Sequence, residues 1–172
     1  MQNRAKALRR AAELRERISD YLKARETIPS GRELAAEIRK RRTRILKVLG
    51  GSEADWDDWH WHMKNRITDV SVLRQIIDLS EEDARSIAEV GAKFRWSISP
   101  YYASLMDPND RLDPVYLQSV PSSLEYDSKG DPDPMCEEET SPAPAITRRY
   151  PDRLIIKVTN QCPMYCRHCQ RR

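Results

Sequence analysis

The sequence predicts an α-helical amino-terminal region that leads into the first strand and loop of a partial α/β, TIM-like barrel. Three observations carry that expectation. Capped stretches with helical periodicity fill most of residues 4–95. Nine of the eleven prolines lie between Pro100 and Pro151, where that periodicity ends. One β-branched run, Leu154-Ile-Ile-Lys-Val-Thr159, is followed at once by Cys162-Pro-Met-Tyr-Cys166-Arg-His-Cys169. A near-continuous apolar strand suits burial on both faces of a parallel sheet or barrel. A ligand loop directly after it sits where such folds gather their active sites.

In chain order, Leu8, Ala11, Leu14, Ile18 and Tyr21/Leu22 recur at helical spacing over 4–25, and Thr27-Ile-Pro-Ser-Gly31 breaks the pattern. Ser30 with Glu33 forms a capping box for a second helix that ends at Gly50-Gly51. Together these predict a helical hairpin with narrow apolar stripes. Ser52 with Asp55 opens a helix on which Trp56, Trp59 and Met63 share a face, with Ile67 a turn further. Trp56 and Trp59 are expected to anchor it. His60 and His62 lie on different sides of it and make a poor metal pair.

Asp69 caps a short helix through Ile77, and Ser80 with Asp83 caps another over 81–95. Its buried side is expected to be Ala84, Ile87, Ala88, Gly91 and Phe94. Asp107-Pro-Asn-Asp110 is a turn, and Asp113-Pro114 reads as N-cap and first residue of a brief helix. Residues 119–148 are acidic, Pro-rich and aperiodic, an ordered wrap or a linker, with Cys136 a bystander. The expected organisation is therefore a basic helical hairpin extension (1–51), a helical domain (52–118), an acidic connection (119–148) and the start of the barrel with its loop (149–172).

Composition narrows the classes. A mean hydropathy of −0.77 with 33% charged residues excludes a membrane protein. The first residues hold no apolar signal segment, and three cysteines within eight positions cannot staple a fold, so a reducing cytoplasm is expected. The net charge of +3 is segregated: 15 Lys and Arg against 6 Asp and Glu over 1–51, 8 against 20 over 52–144, and 7 against 1 over 145–172. The basic arm is expected to lie against an acidic surface, in this chain or in a second copy. Nucleic acid is not the expected partner, because the arm has almost none of the aromatics that stack on bases.

The C-x3-C-x2-C loop has several chemical readings. Three thiolates can hold three irons of a [4Fe–4S] cube and leave the fourth open to a ligand. Zinc would need a fourth donor, and His168, between two cysteines, would strain to supply it. A ferredoxin-type cluster needs a further cysteine, and a redox C-x-x-C pair leaves Cys162 unexplained. With the preceding strand, the open-site cluster is the best reading.

The spacing with His168 at the aromatic position resembles the signature of the radical S-adenosylmethionine superfamily. The longer string resembles its lysine/glutamate 2,3-aminomutase branch at Asp55-Trp56-x-x-Trp59-x-Trp61, Asn65-Arg66-Ile67, Ile98-Ser-Pro-Tyr-Tyr102, Leu105 to Asp110, Asp113-Pro114, Ser141-Pro142, Arg149-Tyr-Pro-Asp-Arg153 and Cys162 to Cys169. The basic extension and Gln170 look more like the glutamate enzyme.

The resemblance implies a [4Fe–4S] cluster on Cys162, Cys166 and Cys169, S-adenosylmethionine chelated at the fourth iron near His168, and pyridoxal 5′-phosphate (PLP) with its phosphate on Arg149 and Arg153. Arg171 would grip the substrate carboxylate. A 5′-deoxyadenosyl radical would take hydrogen from C3 of an amino acid, and the 2-amino group would move to C3. The implied partners are an amino acid substrate, glutamate before lysine, a reductant such as flavodoxin or ferredoxin, and further copies through the amino-terminal helices. No catalytic residue or PLP-linking lysine is expected in this stretch, which alone would be inactive. A reading of another class is a non-catalytic iron–sulfur or zinc-binding helical interaction module.

Overall fold

The computed structural model describes residues 2–127, 129–131 and 133–169. Two compact units divide the chain, Met1–Ile38 and Arg39–Arg172.

In the first unit the expected long helix is two: α1 (Gln2–Arg17) and α2 (Ser19–Thr27). They part at Ile18, whose backbone leaves the helical region (φ −102°, ψ 12°). Leu8, Leu14, Ile18 and Tyr21 are exposed along this stripe. The Ser30–Glu33 box forms: the Ser30 N–H donates to the Glu33 carboxylate and the Glu33 N–H to Ser30 Oγ. One helical turn later α3 (Ala35–Leu49) begins.

In the second unit, α3 buries Ile45 and Leu46 and ends at Gly50, whose φ of 67° is the left-handed conformation a helix stop requires. The Gly51 N–H then reaches back to the Leu46 carbonyl at 2.9 Å. The arginines of α3 hold the same body. Arg41 Nε donates to the Ser104 carbonyl (2.7 Å), Arg44 Nε to that of Gln75 (2.6 Å), and Arg42 pairs with Glu53 and lies over Trp56.

The expected tryptophan helix is broken into α4 (Glu53–Trp56) and α5 (Trp59–Lys64). Ser52 and Asp55 make the capping box, but Asp58 accepts the His60 N–H and restarts the helix. A capping side chain inside a helical pattern competes with the helix and reorients the next turn. Trp56 is therefore buried, while Trp59 is exposed and stacks on His60, so Trp59 is not an anchor. Trp61 packs against the core instead. The ring of His62 stands edge-on to Trp56 with Nε2 2.7 Å from the Trp56 carbonyl, a packing role.

Asp69 caps α6 (Val70–Leu73), shorter than expected. The Ser80–Asp83 box opens α7 (Glu81–Lys93), which buries Ala84, Ile87 and Val90; Ala88 faces solvent, against expectation. Ser99 and Pro100 start α8 (Pro100–Leu105), and Asp113 and Pro114 start α9 (Pro114–Ser119) as expected. Ile67 and Ile98, both buried, exchange backbone hydrogen bonds of 2.8 and 2.9 Å. This bridge ties the segment before α6 to the one after α7 and centres a core of Ile45, Leu46, Trp56, Leu73, Ile77, Ile87 and Met106.

After a 3-10 turn over Ser123–Asp127, β1 (Ile146–Tyr150) and β2 (Arg153–Ile156) form an antiparallel hairpin with Ile146 opposite Ile156 and Tyr150 opposite Arg153. The expected strand over 154–159 thus appears as a shorter one, paired antiparallel. It is not buried on either face: Leu154, Ile155 and Ile156 are exposed, since among the described residues no further strand or helix covers them. No described helix is long and apolar enough to cross a membrane.

Candidate functional site

The cysteine loop is fastened to the helical body at successive residues. The Ile67–Ile98 bridge brings Arg66 and Ser97 to its start. Arg66 Nη1 donates to the Cys162 carbonyl at 2.8 Å and Nη2 to Gln161 Oε1 at 3.0 Å, while Ser97 Oγ lies 3.5 Å from the same carbonyl. Met164 is buried and accepts the hydroxyl of the fully buried Ser119 at the end of α9.

Tyr165 is buried too, with a φ of 48° that turns the chain sharply. Its hydroxyl donates to the Asn160 carbonyl (2.8 Å), its N–H points at Cys162 Sγ (3.5 Å), and the Arg95 guanidinium covers its ring at 4.4 Å. Arg167 forms a forked pair with Glu125, donates from Nη1 to the Arg95 carbonyl (3.0 Å), and its N–H meets the Gln118 carbonyl at 2.8 Å. The Cys169 N–H closes the turn on the Cys166 carbonyl at 2.9 Å.

The three thiols are partly exposed, so a ligand can reach them. Burial pushes the Cys166 thiol up, and the neighbouring Cys162 and Cys169 push it the same way, since each resists another negative charge nearby. Three thiolates become compatible on such a loop when cations share them, so the donor set fits iron. Among the described residues no three His, Cys, Asp or Glu side chains converge on a point as the ligands of one ion do. Cluster ligands bind separate irons and need no common point.

Arg149 and Arg153 make none of their bonds to this frame. Arg149 is exposed and donates to the Met135 carbonyl (2.6 Å). Arg153 is exposed, forked onto Asp152 (3.0 and 2.7 Å), and lies over the Tyr150 ring. That pair holds the Asp152 carboxyl below its ordinary range and the guanidinium above its own. Each arginine keeps donors for a phosphate, although Asp152 competes for Arg153. His168 is exposed, on the loop between Arg167 and Cys169. Arg171, expected to meet the substrate carboxylate, lies outside the described residues, as does Gln170.

Sequence reasoning missed Arg66, Arg95, Glu125 and Arg167 as partners of the loop. Arg66 sits in a motif already singled out by resemblance. Glu125 and Arg167 are 42 residues apart, and no local pattern joins them.

No protein-family model matches the chain. It is 56% identical over 167 residues to the glutamate 2,3-aminomutase of Clostridioides difficile (strain 630), a match covering 96% of this chain and 40% of that enzyme. It is 46% identical over 134 residues to the L-lysine 2,3-aminomutase of Clostridium subterminale, covering 77% of this chain and 32% of that enzyme. The L-lysine 2,3-aminomutase of Bacillus subtilis (strain 168) is 44% identical over 122 residues, or 70% of this chain and 26% of the enzyme. The chain thus spans two fifths or less of the length of these relatives.

Proposed function

The chain belongs to the 2,3-aminomutase family, and from that premise we propose that the complete enzyme moves the 2-amino group of L-glutamate to C3, with a [4Fe–4S] cluster, S-adenosylmethionine and PLP as cofactors. The observation that carries the reading is the three-thiol loop held by the helical body, in a chain matched along 96% of its length by a glutamate 2,3-aminomutase. The matches to lysine enzymes cover 77% of the chain or less, which favours glutamate over lysine.

When bound, the cluster with S-adenosylmethionine supplies the 5′-deoxyadenosyl radical, and PLP supplies a ring that delocalises the unpaired electron while nitrogen migrates. This chain's residues bind and orient. Cys162, Cys166 and Cys169 would each hold one iron and leave one open to S-adenosylmethionine, with His168 beside that site. Arg149 and Arg153 would hold the PLP phosphate by forked, charge-assisted hydrogen bonds. Arg171 would hold the substrate carboxylate. Buried Met164 and Tyr165 seat the loop on Ser119 and Arg95 of the helical body, which would keep the three thiols in one arrangement.

Anaerobic reconstitution of the full-length protein tests this. The expected result is a [4Fe–4S] spectrum perturbed by S-adenosylmethionine and PLP-dependent conversion of L-glutamate to its 3-amino isomer. Conversion of L-lysine instead reassigns the substrate. A colourless protein holding stoichiometric zinc rejects the enzyme reading in favour of a binding module.

A further inference from the structure

We propose that the Glu125–Arg167 ion pair, with Arg95 behind it, is a positioning clamp that sets Cys166 for its iron before any cluster is bound; the link to iron rests on the iron–sulfur reading of the loop. Cys166 is gripped from both sides. Tyr165, on one side, lies under the Arg95 guanidinium. Arg167, on the other, commits Nε and Nη2 to Glu125 and Nη1 to the Arg95 carbonyl. One residue of the helical body, Arg95, thus contacts both neighbours of the thiol.

The pair is enclosed, with side-chain exposures of 7% for Arg167 and 12% for Glu125. Glu125 is itself fixed by the Ser122 N–H at 3.1 Å. Its charge opposes that of Arg167, so this ion pair fixes the loop without adding net charge beside the thiols. A planar fork on a carboxylate also sets direction as well as distance, which a lysine would not. Cys162 is held separately through its carbonyl by Arg66. Clamping at both points means the loop need not be ordered by the metal, and a loop that is competent for a larger fraction of the time binds proportionally tighter.

The test uses full-length protein with Glu125→Ala, Glu125→Gln and Arg167→Lys, plus Glu81→Gln as a control that removes an exposed ion pair with Arg74 elsewhere in the same body. In the apo proteins, Cys166 alkylation is followed by peptide mass spectrometry. After reconstitution, iron retention is followed under a chelator, with the electron paramagnetic resonance change on adding S-adenosylmethionine. The expected result is Cys166 alkylated several-fold faster, iron lost about tenfold faster and a broadened spectrum in Glu125→Ala, with smaller changes in Glu125→Gln and Arg167→Lys and none in Glu81→Gln.

Wild-type alkylation rates in folded Glu125 variants overturn the clamp. Loss of the helical circular dichroism signal in both Glu125 variants overturns it too, by making the pair a requirement of the fold. Faster alkylation in the variants of a protein that never takes up iron supports the clamp and rejects the cofactor reading instead.

Discussion

The cysteine loop and the arginine hairpin are neighbours in sequence and carry most of the expected site residues, yet they are held in opposite ways. The loop's contacts come from Arg66, Ser97 and Glu125, 42 to 96 residues away, and are partly buried, with the Glu125–Arg167 pair the most enclosed. The hairpin's arginines are exposed and bond to Met135, Pro151 and Asp152, none more than 14 residues away. A buried charge pair is costly to open, because removing one partner strands the other without water. An exposed pair exchanges readily with solvent or a competing anion. The loop is therefore preset by its scaffold, while the hairpin keeps its guanidinium groups available.

The largest expected effect comes from breaking the preset side. Glu125→Ala leaves the Arg167 charge enclosed and unpaired, and is expected to cost about 3–5 kcal/mol in chemical denaturation. A loss like that of the exposed control Glu81→Gln would mean the loop is no better anchored than the hairpin. Next comes the bridge that delivers Arg66 and Ser97. Ile98 is fully buried, and Ile98→Ala is expected to cost about 2–5 kcal/mol through lost burial and a residual cavity. Iron retention should fall with it; unchanged retention in a destabilised protein would separate the bridge from the loop.

Gly91→Ala should have a smaller effect. A Cβ there would lie 2.5 Å from Trp96 Nε1, so the indole next to Arg95 and Ser97 must shift. Overpacking of this kind costs about 1–3 kcal/mol, and a changed tryptophan emission spectrum should accompany it. A neutral substitution would show that Trp96 yields without strain.

The legible parts of this fold were those written in local chemistry. The boxes at Ser30, Ser52 and Ser80 and the Asp113-Pro114 start all formed, because a side chain three residues from its partner needs nothing else to act. The same signal was present in Ser99-Pro100, where a helix also begins. Periodicity failed where a local cap cut across it, as at Asp58, which left Trp59 in solvent. The thiols were legible as a spacing, but their support was not, since Glu125 and Arg167 meet only through the fold. The apolar run 154–156 was legible as a strand, but its expected burial on both faces was not met among the described residues.

The hairpin supplies the last and smallest effect. Arg153 holds the Asp152 carboxyl below its ordinary range, mainly by the hydrogen bonds it donates. A depressed carboxyl contributes stability above its unfolded pKa and loses it as pH falls through the folded one, so the pair is intact at neutral pH and opens only in acid. Both groups are exposed, and Asp152→Asn should leave the thermal midpoint of the full-length protein unchanged within error. It should also remove the carboxylate that competes for Arg153, so under the role proposed for Arg153 PLP binds more tightly, by a few-fold at most. Fluorescence titration of the apo enzyme with PLP measures both the affinity and its pH dependence. Weaker PLP binding, or a drop in stability on the scale of Glu125→Ala, would place Asp152 with the fixed frame of the loop and erase the distinction between the two regions.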